Sequence, residues 1–366
     1  MLNKKTKALV LMSGGLDSML AARVLMEQGI EVTGVVFVSN FFGAAKARKA
    51  AGQLGINLKE VEFKKEHLKM VKNPKHGYGK NMNPCIDCHA LMLKIAKSIM
   101  EKEGYDFVAT GEILGQRPMS QNKEALKTVA KESCLGDLLV RPLSAKLLEE
   151  SRPEREGKLI RGRLFDIKGR SRDKQKELVE RFGIKEYASP GGGCLLTDQE
   201  FSQRLIKLFD YWPDCSGDDI ELLKNGRVLW FKTQIAADDR QIATNALMVI
   251  GRDKEDCENL EKLAKKGDIM VKLKEIVGPL TIVRIFNFQP CLPAGRFSIF
   301  NSDLELDIPK ELKMSELKLG EEKGEEEILN IAALLTGYYA TKARGKKSII
   351  QFTIINMPAG RQVNNF

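Results

Sequence analysis

Short apolar runs alternate with longer amphipathic stretches through the first part of the chain. Ala8-Leu9-Val10-Leu11-Met12 is uninterrupted by charge and reads as a buried strand. A helical pattern over Ser18 to Gln28 follows, then a second apolar run, Glu31 to Val38, a helix-like stretch Ala44 to Leu54, and a third strand over Leu58 to Phe63. Ala90 to Glu103 reads as a helix leading into the strand Asp106 to Thr110. Strands and helices alternating at this spacing predict an α/β domain, a doubly wound parallel sheet with helices on both faces. In such sheets ligands lie beyond the carboxyl ends of the strands, where Ser13, Asp17, Phe37 and Gly111 fall.

The pattern then changes. The polar and aromatic stretch Asp210 to Asp219 separates this domain, residues 1–210, from a second, smaller α+β domain over residues 220–366. There the strand-like pieces Arg227 to Phe231, Ala246 to Ile250 and Leu280 to Ile285 precede a helix at Glu327 to Thr341 and a strand at Ser348 to Ile354, with an amphipathic helix ending at Lys265. The charged tract Leu304 to Glu326 breaks the pattern and reads as a surface insertion or loop.

Between the first strand and the first helix stands Ser13-Gly14-Gly15-Leu16-Asp17-Ser18. Two glycines let the backbone turn tightly toward an anion, and the N–H groups and dipole at the start of the following helix attract negative charge. This is a phosphate site, but not a Walker A loop, because no Gly-Lys-Ser/Thr follows. The Ser13 and Ser18 hydroxyls and the Gly14 and Gly15 amides are the candidate phosphate ligands. A carboxylate does not favour a bare phosphate, so Asp17 either holds magnesium or caps the helix. Phe37, with Val38, would border an adenine or belong to the core.

Chain length and charge widen the picture. A chain of 366 residues exceeds one ordinary core, which agrees with two domains. The net charge of +10 suits a polyanionic partner such as RNA, and the basic residues are concentrated: ten against four acidic ones between Arg152 and Lys176. No run approaches a membrane span and the start lacks the apolar core of a signal peptide, so a cytoplasmic location is expected, with no membrane partner.

Seven cysteines, an odd number, do not make a secreted disulfide framework. Cys85 and Cys88 form a Cys-x-x-Cys turn ahead of a helix, which brings two thiolates to one metal, cluster or redox pair. Cys194, flanked by glycines in Ser189-Pro190-Gly191-Gly192-Gly193-Cys194, is the third candidate. Three cysteine ligands would leave one iron of a 4Fe-4S cluster open to an exogenous sulfide. His89 as a fourth ligand would instead close a zinc site, and a persulfide passed between cysteines needs no metal at all. Cys134, Cys215, Cys257 and Cys291 lack such company and are assigned structural roles.

The Ser-Gly-Gly-Leu-Asp-Ser loop resembles the pyrophosphate loop of the ATP pyrophosphatase superfamily, whose members cleave ATP between the alpha and beta phosphates and adenylate a carbonyl oxygen. Gly111-Glu112-Ile113-Leu114-Gly115-Gln116 with Ser120-Gln121, and the later Arg141-Pro142-Leu143, resemble the signature of tRNA 4-thiouridine synthetases. Asn83-Pro84-Cys85-x-x-Cys88 paired with Cys194 is similar to cluster-bearing tRNA 2-thiouridylases. The resemblance covers about Lys7 to Leu205. It implies an ATP-dependent, adenylating tRNA sulfurtransferase using ATP, Mg2+ and a sulfur donor, either sulfide or a persulfide carrier. It also implies that Gln116, Ser120 and Gln121 belong to the nucleotide and substrate site. The chain begins at this loop, without the RNA-binding module that precedes it in 4-thiouridine synthetases and without a rhodanese-like segment, so RNA capture and sulfur supply are expected from elsewhere. The C-terminal region resembles, more loosely, the RNA-binding NFACT-R domain, which implies an RNA grip through Arg252, Lys254 and Arg344. The competing readings are a pyrophosphate-loop ligase acting on a small molecule with zinc at the cysteines, and a non-catalytic RNA-binding protein.

Overall fold

The computed structural model describes residues 5–188, 193–237, 240–286, 303–317, 319 and 322–355. The chain divides into two units, 1–202 and 203–366, and the division falls inside a helix.

In the first unit the strands are β1 (Lys7–Leu11), β2 (Glu31–Val38), β3 (Asn57–Glu62), β4 (Phe107–Ala109) and β5 (Leu139–Val140). The helices are α1 (Leu16–Met26), α2 (Ala45–Leu54), α3 (Lys64–Lys72), α4 (Cys85–Glu103), α5 (Lys123–Glu132), α6 (Arg152–Arg155), α7 (Asp173–Phe182) and α8 (Gln199–Tyr211), the last crossing into the second unit. The sheet is wholly parallel in the order β3-β2-β1-β4-β5, as the alternation of strands and helices requires. β1 shows why both faces must be covered. Ala8, Val10 and Met12 pack with α1, α2 and α7 on one face, while Leu9 packs with α4 and α5 on the other. Strand order reverses between β1 and β4, so the loops after these two strands border the crevice where such sheets bind ligands.

The second unit holds α9 (Gly217–Leu222), β6 (Arg227–Ala237), β7 (Arg240–Ile250), α10 (Lys254–Leu263), β8 (Ile269–Leu273), β9 (Thr281–Ile285), β10 (Asp303–Asp307), β11 (Glu322–Lys323), α11 (Glu325–Tyr339) and β12 (Lys347–Ile354). Its sheet runs β10-β12-β8-β9-β7-β6-β11 and is antiparallel except for the β11–β6 pair. The apolar side of α11, including Ile328, Ala332 and Leu335, buries one sheet face. Buried Arg284 binds Asp268 at 2.6 and 2.7 Å and Asp219 at 2.5 Å, tying α9 to β9.

Two expectations change here. The tract over Leu304 to Glu326 is not all loop: β10 pairs with β12 along the sheet edge, its leucines alternating with charges in the strand period. Helix α4 begins at Cys85, not Ala90, so the Cys-x-x-Cys pair is the first helical turn, with Pro84 at the N-cap. Among the described residues no helix is long and apolar enough to cross a membrane.

Candidate active site

The loop after β1 turns at Gly14, whose φ is +78°. A Cβ there would lie 2.4 Å from the Lys46 carbonyl carbon and 2.7 Å from the Ala47 nitrogen, so the start of α2 presses directly on the turn. Gly15 is the N-cap of α1 and makes no side-chain cap, which leaves the start of that helix to an anion. Ser13 Oγ accepts from the Gly15 N–H at 3.2 Å, and the Ser18 hydroxyl donates to the Gly15 carbonyl at 2.8 Å, so both serines brace the loop. Asp17 is in the first turn and caps nothing, which removes the capping alternative. Its Oδ1 is buried with no hydrogen-bond partner. Burial pushes the carboxyl upward, opposed by the Gln116 amide, Arg172, the Gln175 amide and Arg117. A buried, orphaned carboxylate oxygen is a hard donor and fits magnesium.

Gly111, just after β4, lies on the backbone of this turn: a Cβ there would meet the Asp17 carbonyl carbon and oxygen at 2.5 Å. Phe37 is elsewhere. Its ring is 3% exposed and packs edge-on against Phe63 at 5.2 Å, so it is a core residue and not an adenine contact.

The residue after Gly111 anchors the site. Glu112 accepts from Thr110 Oγ1 at 3.0 Å and from Arg141 Nε at 2.8 Å, and its other oxygen meets His89 Nδ1 at 2.8 Å. Burial raises the Glu112 carboxyl, but Arg141 and His89 outweigh it and hold the group well below the usual carboxylate range. His89 Nδ1 is therefore engaged by Glu112, which fixes the orientation of the ring. Because His89 follows Cys88 on α4, this buried network fixes the cysteine helix to the loop after β4. The resemblance had flagged Glu112 and Arg141 as motif letters without a role.

Cys85 and Cys88 share one face of the first turn of α4. The Cys85 thiol donates to Asn83 Oδ1 at 3.0 Å, and the buried Cys88 sulfur shares a hydrogen bond with His67 Nε2 at 3.3 Å. Cys194 is placed from outside the helix: the Leu195 N–H donates to the Phe41 carbonyl at 3.0 Å, and Thr197 donates to the Cys194 carbonyl at 2.7 Å. The three sulfurs are near enough to oppose one another's ionisation. Burial pushes all three thiols up, Cys194 to about 11, and the Arg117 cation works against this at Cys85 and Cys194. The Arg117 charge is thus felt at Asp17, Cys85 and Cys194 alike, a link that sequence reading missed.

The expected 4Fe-4S cluster is not shown by this arrangement. Among the described residues no group of three or more His, Cys, Asp or Glu side chains is placed to hold a metal ion; the Cys88 sulfur meets His67 and that of Cys85 meets Asn83. Of the remaining cysteines, Cys257 accepts from the Leu280 N–H at 3.3 Å, Cys215 is buried, Cys134 is exposed and Cys291 lies outside the described residues, as do Ser189 to Gly192. In the basic segment, Arg152 and Arg155 pair with Asp137, Arg161 with Glu154 and Lys174 with Asp166. These cations are partly neutralised.

His67 carries a pH prediction. It is fully buried among Phe41, Phe42 and Phe63, and burial alone pushes its pKa from 6.5 down to about 4. A folded-state value below the unfolded one means that the unfolded chain takes up the proton first. Stability is complete above pH 6.5 and falls by about 3 kcal/mol as the pH drops toward 4. Urea unfolding across that window should show the slope in the wild type and lose most of it in His67→Gln. An identical slope in the variant would assign the effect to another group.

Residues 3–146 match the family model described as thiamine biosynthesis protein (ThiI). The tRNA-specific 2-thiouridylase MnmA of Syntrophotalea carbinolica is 36% identical over 126 residues, 30% of this chain and 36% of that protein. The enzyme of the same name from Listeria innocua is 27% identical over 245 residues, 62% of this chain and 61% of that one. The chain thus spans between about a third and three-fifths of the length of these relatives. Among solved structures, NMN synthetase from Francisella tularensis overlaps 52% of this chain and 91% of its own at 12% identity, with a TM-score of 0.26 that bears on nothing further. In its sequence and in its pyrophosphate loop, the N-terminal domain of this protein is ThiI- and MnmA-like.

Proposed function

We propose that the protein is an ATP-dependent tRNA uridine thiolase. The observation that carries this reading is that one unit holds both a pyrophosphate loop and three thiols, with the cysteine helix α4 tied through His89, Glu112 and Arg141 to the loop whose Gly111 packs on the turn.

The start of α1 and the loop amides would hold the ATP phosphates, and Asp17 would hold the magnesium that offsets their charge. A uridine carbonyl oxygen attacks the alpha phosphorus, pyrophosphate leaves, and a poor leaving group becomes AMP. Arg172, whose charge is felt at Asp17, would meet the charge that develops on the phosphates. The sulfur step runs through a persulfide, formed when the Cys194 thiolate takes the outer sulfur of a persulfide carrier and the carrier's thiol is released. Its terminal sulfur on Cys194 attacks the activated carbon and AMP departs. The Cys85 thiolate then attacks the Cys194 sulfur, which releases the thiocarbonyl and leaves a Cys85–Cys194 disulfide for a dithiol reductant to reopen. Arg117 favours the thiolate of both reacting residues, whereas Cys88 is held in the core by His67.

The second domain would grip the RNA, as the NFACT-R resemblance read from the sequence implies. Lys254 is 90% exposed, and the Arg344 guanidinium lies 4.4 Å above the Tyr338 ring, a cation on an aromatic face of the kind that stacks nucleobases. Arg252 is bound to Asp256 at 2.6 Å and contributes less.

One experiment tests the reading. In tRNA from cells lacking the gene, nucleoside mass spectrometry is expected to find one thionucleoside missing, restored by the wild-type gene and only weakly by a Lys254→Glu/Arg344→Glu variant. An unchanged nucleoside profile would sink the thiolase reading, and full restoration by the variant would remove the RNA grip.

A further inference from the structure

Helix α7 brings a residue to the nucleotide loop that neither the loop nor any motif announces. The helix packs on α1, and its N-cap residue, Arg172, makes no side-chain cap. Gln175, in its first turn, is 0% exposed. A glutamine with no access to water ordinarily satisfies both ends of its amide. Here neither Oε1 nor Nε2 has a formed hydrogen bond. The Gln116 Nε2 and Asp17 Oδ1 are likewise buried without a formed hydrogen bond. Both amides stand within reach of the Asp17 carboxylate. Such groups are costly to bury unless something completes them.

Their chemistry says what that is. A carboxylate oxygen and an amide oxygen are hard donors of the kind magnesium takes in small number, keeping its other positions for water and phosphate oxygens. The amide N–H groups are donors for those phosphate oxygens. We propose that Gln175, together with Gln116, forms an amide cradle around Asp17 that receives the magnesium-bound phosphates of the nucleotide, Gln175 offering its oxygen to the cation and its N–H to a phosphate. The inference rests on the nucleotide reading above and assigns α7 a part in it.

The test is binding of Mn2+ together with α,β-methylene-ATP, which cannot be cleaved at the bond in question, followed by electron paramagnetic resonance on the full chain. Gln175→Leu, close in volume, is expected to weaken Mn2+ binding in the presence of the nucleotide by roughly 10-fold, the loss of about one charge-assisted contact. Its nucleotide-free thermal midpoint should rise, because two unpartnered buried polar atoms are gone. Gln175→Glu, which keeps an oxygen ligand, should recover the metal affinity, a rescue that a packing role does not predict. Wild-type protein that binds Mn2+-nucleotide while Gln175→Leu binds it equally well would overturn the cradle alone. Wild-type protein that binds neither metal nor nucleotide would overturn the nucleotide reading and the cradle with it.

Discussion

Replacing Cys194 with serine is expected to abolish sulfur transfer, lowering turnover by about 10³-fold or more, while leaving nucleotide binding unchanged. Serine is nearly isosteric, so the chain around residue 194, held by the Phe41 carbonyl and Thr197, is kept. What disappears is the sulfur assigned to carry the second sulfur. Cys85→Ser should differ in kind: the first attack on the activated uridine still occurs, and a mixed disulfide between Cys194 and the RNA accumulates because nothing resolves it. Trapping that adduct by non-reducing electrophoresis separates the two roles. Cys194→Ser protein that still thiolates tRNA would end the persulfide assignment, and a Cys85→Ser variant that turns over normally would hand the resolving role to Cys88.

Gly111→Ala is expected to be as damaging to the fold as the cysteine change is to chemistry. The added methyl would sit 2.5 Å from the Asp17 carbonyl carbon and oxygen, which are backbone atoms at the start of α1 and cannot swing aside like the end of a side chain. Overpacking against backbone should cost about 3 kcal/mol, which for a unit of this size lowers the thermal midpoint by roughly 6–12 °C. Nucleotide affinity should fall as well, since the shifted atoms are those of the turn that carries Asp17. A midpoint within a degree or two of wild type would show that β4 and the loop after it give way easily, and the close packing would then not matter.

The two variants mark different degrees of legibility. Gly111 could be named from the chain as the residue that follows a buried strand beside the phosphate loop. Its reason for being glycine, the bare approach to the Asp17 backbone, is a contact between β4 and α1 that no local pattern encodes. Cys85 and Cys88 were visible as a pair. Their place within the helix was not, because Asn83-Pro84 reads as a turn and the apolar period becomes clear only from Ala90. Phe37 could be read two ways in the chain, because an aromatic at a strand end has the same spelling whether it lines a ligand or packs on Phe63. The iron–sulfur expectation has no support in the structure for a related reason. Three cysteines can be counted in a sequence, but the directions of their sulfurs depend on His67 and Asn83.

By itself the sequence determined the strand, glycine turn and helix of the phosphate loop, the parallel α/β sheet, and the shift to a second domain of different pattern. Each of these rests on near neighbours: apolar period, glycine sterics and helix starts act over a few residues and leave a regular trace. The tertiary structure alone decided that Glu112 clamps Arg141, 29 residues away, and that Cys88 meets His67, 21 residues away. It alone set Gln175 beside Asp17. Contacts between single polar side chains on different elements have no period, and their partners are chosen by how the helices pack on the sheet. The pyrophosphate loop was therefore legible before the fold, and the groups that complete it were not.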